Sequence, residues 1–342
     1  MNRKVWVTLG YFDERGDGAV IELDANSGKS CEVLHFDAPA ALRVPAKGFT
    51  GACWMGEAGQ SDLLICGPAA VFQFDRNLQH AGSLALPSFN DLHGVHCAGD
   101  RIYVVNTGLD CVDVFDRQGC FVGSHSFEAA WLMGPRQAGD TPSRDDWHRL
   151  HGIGWRGDGY VFDPARPTES YYRGGESEPF HRRQQRDYVH PNHVCVHNGR
   201  VLVTSLVRRG VIDVADWRQV IEVASPPHDG LIRDGGLYMT RVDGFVERRN
   251  CAALGEPGDI IDVTVLSGVS GWCRGIHVDD QLLWVGFTQI REKPGHVWDR
   301  DDFSKTSTAV VALDRKSGAV VRIFDLATPG RHSKVFALLE AA

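Results

Sequence analysis

The chain has 342 residues, 43% of them hydrophobic and 9% aromatic, enough apolar material to bury a large core and too much for a disordered chain. Its formal net charge of −8 argues against general binding to nucleic acid or anionic membranes, which needs a basic face. No run reaches the roughly 18 apolar residues of a membrane span, and the start "MNRKVWVTLGYFDERGDG" holds no apolar leader core, so a cytoplasmic protein is expected.

In chain order, β-branched and aliphatic runs recur as VWVTLG (5–10), DLLICG (62–67), RIYVVNTG (101–108), RVLVTSL (200–206), GLYMTRV (236–242) and QLLWVGF (281–287). A second run usually follows and ends in an aspartate turn, at Asp24, Asp75, Asp116, Asp216 and Asp314. Aspartate opens such hairpins because its carboxylate bonds the backbone two residues on. Repetition of four-stranded units of about 40 to 50 residues predicts an all-β, six-bladed β-propeller. It would form a single domain over 1–342, with a long insertion at 126–187 between blades 3 and 4. A two-sheet sandwich or a two-domain arrangement is the rival architecture.

The chain opens on a second-type strand, so the first blade lacks its innermost strand unless the C-terminus returns to supply it. HSKVFALLE (332–340) is the candidate, with a short surface helix as the alternative. Nine cysteines without a Cys-x-x-Cys pair sit mostly in apolar runs and read as small buried hydrophobes.

Innermost strands line a propeller's channel, and their first residues converge on one rim. Aligning NDLHGVHCAGD (90–100), VHPNHVCVHNG (189–199), PPHDGLIRDGG (226–236) and GWCRGIHVDD (271–280) brings His93, His190, His228 and Arg274 together from four successive blades. His96 and His277 fall deeper or between blades, and His197 faces solvent at the far turn. The insertion carries Trp131, Trp147, Trp155, Tyr160, Tyr171 and Tyr172 among polar residues, as a lid over the pocket or as an interaction platform. LHGIGWRGDGYVF (150–162) leaves a seventh, irregular blade open, which would add His151 to the rim.

These motifs resemble a group of uncharacterised bacterial proteins carrying a domain of unknown function. That group shows Asn-Asp-x-His, Phe-Val-Asn-Thr, His-x-Asn-Gly, Met-Pro-His and Arg-Gly followed by Phe-Val-Gly-Leu. Here the counterparts are NDLH (90–93), VVNT (104–107), HPNH (190–193), PPH (226–228) and RGIH with WVGF (274–287), spread over about residues 45 to 300. The resemblance implies a propeller whose shared site comprises His93, His190, His228 and Arg274. The chain departs from the pattern at His193, at Asp229 and in the length of its insertion.

Three neutral imidazoles on separate strands can bind a divalent metal such as iron, zinc, manganese or copper and leave positions open. The metal set is then His93, His190 and His228, with His193, Asp229 and Arg274 as catalytic groups. Basic loops on the same rim supply Arg208, Arg209, Arg241 and Arg291, with Arg15 and Lys293 nearby. Together with Asn106 they form an expected binding set for a small anionic substrate. The sequence has no serine-elbow, zinc-helix or P-loop motif, and no dinucleotide Gly-x-Gly-x-x-Gly in a βαβ setting. The expectation is a metal-dependent lyase, isomerase or hydrolase, or an oxygenase if the metal is iron. The alternatives are a metal-free histidine acid–base enzyme holding its anion through arginine, and a non-catalytic propeller that binds a protein. A homo-oligomer is compatible with all three.

Overall fold

The computed structural model describes residues 3–13, 15–44, 47–86, 88–127, 189–291, 298 and 303–342. Among these residues lie six four-stranded antiparallel sheets arranged as the blades of a β-propeller. Blade 1 contains β1 (Lys4–Tyr11), β2 (Gly18–Asp24) and β3 (Lys29–Phe36). Blade 2 contains β4 (Ala52–Trp54), β5 (Leu63–Cys66), β6 (Val71–Phe74) and β7 (His80–Leu84). Blade 3 contains β8 (Leu92–Ala98), β9 (Arg101–Asn106), β10 (Cys111–Asp116) and β11 (Phe121–Ser126). Blade 4 contains β12 (Pro191–His197), β13 (Arg200–Ser205), β14 (Gly210–Asp213) and β15 (Arg218–Glu222). Blade 5 contains β16 (Pro227–Arg233), β17 (Gly236–Arg241), β18 (Phe245–Asn250) and β19 (Asp259–Asp262). Blade 6 contains β20 (Trp272–Val278), β21 (Leu282–Thr288), β22 (Ala309–Asp314) and β23 (Val320–Asp325). The last strand, β24 (Ser333–Glu340), pairs antiparallel with β1 and becomes the innermost strand of blade 1. The C-terminus therefore closes the ring through backbone hydrogen bonds and leaves no open sheet edge at the seam.

The expected insertion falls between blades 3 and 4. Its residues 128–188, together with the lid, interaction-platform and seventh-blade readings and His151, lie outside the described residues, as does Lys293. Among the described residues, no helix is long and apolar enough to cross a membrane.

The aspartate turns form as the sequence predicts. Asp24 Oδ1 accepts from Asn26 N at 2.8 Å, Asp75 Oδ1 from Asn77 N at 2.8 Å and Asp116 Oδ1 from Gln118 N at 3.0 Å. Asp216 and Asp314 repeat the bond to Arg218 and Lys316. In blade 5 Asn250 takes the aspartate's place and accepts from Ala252 N at 2.9 Å. Apolar clusters fill the spaces between adjacent blades, for example Phe49, Phe72 and Phe74 with Val20 between blades 1 and 2. Of the cysteines, Cys66, Cys111, Cys195 and Cys273 are buried, but Cys31 and Cys120 are exposed on outer strands or turns.

Two repeated devices set the inner wall. The first is a register shift near the rim end of five innermost strands, between Leu92 and Gly94, Pro191 and His193, Pro227 and Gly230, Arg274 and Ile276, and opposite Val7 to Leu9 in β24. Such bulges re-aim side chains away from strict alternation. The second is a threonine on the neighbouring strand that satisfies the amide which the bulge releases. Thr204 Oγ1 accepts from His193 N at 3.1 Å and donates to His228 O in the next blade. Thr8 Oγ1 accepts from Ala337 N at 2.9 Å and donates to Thr50 O of blade 2 at 2.7 Å. Thr240 Oγ1 accepts from Asp229 N at 3.0 Å. Each hydroxyl pins a bulge, and two of them also stitch one blade to the next.

Candidate active site

At the rim end of the channel a cavity of about 300 Å3 is lined by His93, His190, His228 and Arg274. The four residues aligned from the sequence thus share one wall. Lys47, Asp91, Asn192, Lys334, Phe336 and Trp272 complete most of the lining, and Phe12 and Leu206 cover it from loops between second and third strands. The ring centroid of His93 lies 5.4 Å from that of His190 and 6.0 Å from that of His228. Phe336 sits at 5.3 Å from both His93 and His228 and forms a common apolar floor.

Asn192 fixes His93. Its Nδ2 donates to Pro227 O at 3.3 Å, so its Oδ1 faces His93 Nδ1 at 2.9 Å and accepts the ring N–H. His93 Nε2 then lies 3.5 Å from Asp91 Oδ1. Asp91 is paired with Lys47 at 2.5 Å. Burial opposes ionisation of Asp91, but Lys47 and then His93 overcome it and hold the carboxyl well below its ordinary range. Asp91 and His190 both adopt left-handed backbone, with φ of 56° and 50°, a conformation that costs a non-glycine residue energy and that surrounding structure must enforce. For His190 the anchor is Asp110, whose Oδ1 accepts from His190 N at 2.7 Å.

His228 is 1% exposed, and its Nδ1 lies 3.0 Å from Asp229 Oδ1. With the carboxylate accepting from Nδ1–H, Nε2 keeps a lone pair, and this atom is buried without a hydrogen-bond partner among the described residues. Burial, and then the charge of Arg274, push the imidazole well below its ordinary pKa, so it is neutral at pH 7. A neutral imidazole oriented through its other nitrogen is the arrangement of a general base.

Arg274 stacks against Trp272 and Phe336, with its guanidinium carbon 5.5 and 4.8 Å from the ring centroids. It makes no ion pair among the described residues, its Nε is buried without a partner, and burial lowers its pKa to about 10. Lys334, only 2% exposed, places Nζ 4.9 Å from the Phe12 centroid and 5.1 Å from that of Phe336. It too has no carboxylate partner among the described residues. Burial, then Lys47 and Arg274, drive its pKa well below the ordinary lysine value. Gly10 makes room for this side chain: a Cβ there would lie 2.3 Å from Lys47 O and 2.6 Å from Lys334 Cε.

The remaining sequence candidates lie elsewhere. Asp229 stands behind His228, buried, with its carboxyl raised by desolvation. His193 is not part of the cavity lining. It lies deeper, near His96, and burial lowers both imidazoles to about 4. Asn106 is absorbed into the fold, its Nδ2 donating to Ser88 O and to Asp113 Oδ2 while its Oδ1 accepts from Asn90 N. Arg241 is buried in an ion-pair cluster with Asp243 at 2.9 Å and Glu247 at 3.8 Å. Arg208 and Arg209 are exposed, Arg208 over the Phe127 ring at 5.3 Å, and Arg291 donates to Arg331 O at 3.1 Å; none of these arginines lines the cavity. Among the described residues, no three His, Cys, Asp or Glu side chains are arranged to hold a metal ion, and His93, His190 and His228 are no exception. The physical reason is visible in the wall. His93 has a partner facing each ring nitrogen, and the basic groups of Lys47, Arg274 and Lys334 crowd the same cavity, where positive charge repels a divalent cation.

No protein-family model matches the sequence, and no curated protein matches it. Among solved structures the chain is similar to a protein of unknown function from Bacteroides caccae, at 10% identity and a TM-score of 0.60, over 99% of this chain and 98% of that one. It is also similar to a chain of a nidogen/laminin complex, at 12% identity and a TM-score of 0.54, over 99% of this chain and 100% of that one. The first is an uncharacterised bacterial protein, in line with the resemblance of the motifs. At such identities the likeness is one of fold.

Proposed function

We propose that this propeller is an enzyme that binds a small anionic molecule in the rim cavity between Arg274 and Lys334 and moves a proton through His228. The observation that carries this reading is a guanidinium and a lysine amine, neither with a carboxylate partner among the described residues, facing a cavity beside an imidazole with an unpartnered Nε2. An anion supplies the missing counter-charge. Arginine holds a carboxylate through parallel hydrogen bonds, and the apolar floor of Phe336 raises the strength of each contact by excluding water. The Asp229–His228 pair would then take a proton from a bound substrate at Nε2 and return it, which is the equipment of a lyase or isomerase.

Calorimetric titration of the full chain with sulfate and with small carboxylates tests binding, and deuterium incorporation into a bound carboxylate in D2O tests proton transfer. The expected result is binding that weakens at least tenfold in Arg274→Gln, with exchange lost in His228→Gln. Absence of any anion binding would overturn the reading. A stoichiometric divalent metal in untagged protein, lost in His190→Ala, would replace it with the metal-dependent mechanism.

A further inference from the structure

We infer that Lys334 is a nucleophile that condenses with the carbonyl of an oxo acid whose carboxylate is held by Arg274. The inference rests on the anion-binding reading and names its substrate class. Lys334 is a nearly fully buried amine that opens into the cavity and lies against two phenyl rings; no carboxylate among the described residues pairs with it, and the one that favours its charge from a distance, Asp91, is bound to Lys47. Desolvation next to other cations is the condition that keeps a lysine amine unprotonated and reactive at neutral pH, and its lowered pKa agrees. Arg274 and Lys334 both pack on the Phe336 ring, at 4.8 and 5.1 Å from its centroid, which sets their separation to the scale of one small molecule. The Nζ lone pair attacks the carbonyl carbon, and the carbonyl oxygen takes up a proton to give a carbinolamine. Loss of water then forms the C=N bond, so one water leaves for each imine made. His228, which lines the same cavity and whose Nε2 has no partner among the described residues, is the group available to carry these protons.

The test treats the full chain with pyruvate and sodium cyanoborohydride at pH 7 and maps the product by peptide mass spectrometry. The expected product is a single N-carboxyethyl group on Lys334, formed roughly tenfold faster than on any surface lysine and suppressed by excess sulfate. In Lys334→Arg the site stays cationic and the adduct disappears. Modification spread over surface lysines, with none at Lys334, overturns the nucleophile. If sulfate still binds in an Arg274-dependent way in that case, the anion reading stands alone; if it does not, both fall.

A different observation carries a second inference. Cys53 in β4 and Cys97 in β8 bring their sulfurs to 3.5 Å across the boundary between blades 2 and 3. We propose that this pair forms a reversible disulfide by exchange with a small disulfide such as oxidised glutathione. The Cys97 thiolate attacks the disulfide and releases one reduced thiol, and Cys53 then attacks Cys97 Sγ and releases the second. The cross-link would fasten β4, which spans only three residues, to the neighbouring blade. Non-reducing peptide mapping after treatment with oxidised glutathione should recover a linked 53–97 peptide pair, absent in Cys97→Ser. Recovery of mixed disulfides at the exposed Cys31 and Cys120 without that linkage overturns the proposal.

Discussion

Replacing Lys334 by methionine should stabilise the protein, and by an amount that depends on pH. The lysine is 2% exposed, and its Nζ faces two phenyl rings with no carboxylate partner among the described residues. Methionine keeps the aliphatic packing and removes the charge. Relieving the cost of burying an amine that has no pairing carboxylate is expected to stabilise by about 1–4 kcal/mol, the range for replacing buried ion pairs by apolar side chains of similar volume. For a chain of 342 residues this corresponds to a rise in Tm of roughly 1–6 °C. The pH dependence follows from linkage. The native amine has a lowered pKa, so between that value and the ordinary lysine value the unfolded chain binds more protons than the native one. Wild-type stability contributed by this group therefore increases with pH over that window. The advantage of Lys334→Met is full below the native pKa and vanishes as the pH approaches 10.5. Melting curves of both proteins by circular dichroism between pH 5 and pH 10 measure the gap directly. A variant that melts below wild type across the range, or a gap that does not narrow as pH rises, refutes the placement of an uncompensated amine in the cavity. Since the same substitution should abolish anion binding, stability and function should move in opposite directions.

Thr204→Val keeps the shape of the side chain but leaves His193 N and His228 O without their partner. A loss of about 2–5 kcal/mol in urea unfolding is expected, with weaker anion binding because the blade 4 and blade 5 bulges lose their stitch. Gly10→Ala places a methyl group against Lys47 O and Lys334 Cε, so anion affinity should fall while the circular dichroism spectrum is retained. Asp17 is held below its ordinary pKa by Arg331, which donates from Nη1 to Oδ2 at 2.8 Å. The stability from this pair is present above the unfolded carboxyl value and is lost as pH falls through the native one, so Asp17→Asn should flatten the acid limb of a Tm–pH profile. Deletion of residues 333–342 removes β24, and with it Lys334 and Phe336. The expected product is an open, aggregation-prone ring, detected by light scattering.

The ring, its six blades and the C-terminal closure were legible because they rest on local signals: a period of about 45 residues, aspartates at hairpin turns, and a chain that begins on a second strand. The meeting of His93, His190, His228 and Arg274 was legible for the same reason, since aligned inner strands converge by symmetry. What alignment by residue type concealed was the bulge. At five inner strands the register slips near the rim, so counting by twos from a known residue misplaces its neighbours. His193 illustrates this: three positions after His190, it turns away from the cavity. Asn106 and Arg241 carry suitable chemistry, but it is spent on Asn90, Ser88 and Asp113 in one case and on Asp243 and Glu247 in the other. Sequence alone does not say which polar side chains are already satisfied.

Lys334 is not marked by the repeat pattern. The converging motifs lie on the inner strands of blades 3 to 6, whereas the innermost strand of blade 1 comes from the far end of the chain. Placed in the same alignment, Lys334 occupies the second position of its strand, as His93, Asn192 and His228 do in theirs. Five of the six blades thus present a polar side chain from the start of the innermost strand to a common mouth, Arg274 one position further along than the others, and these side chains differ in kind: neutral imidazoles on blades 3 and 5, an amide on blade 4, a guanidinium on blade 6 and an amine on blade 1. A structural role such as capping an inner strand would be met equally well by the same residue type in each of these blades. Different chemistry at closely corresponding positions instead fits a ligand with unlike ends, its charge toward blades 6 and 1 and its proton-exchanging atom toward blade 5.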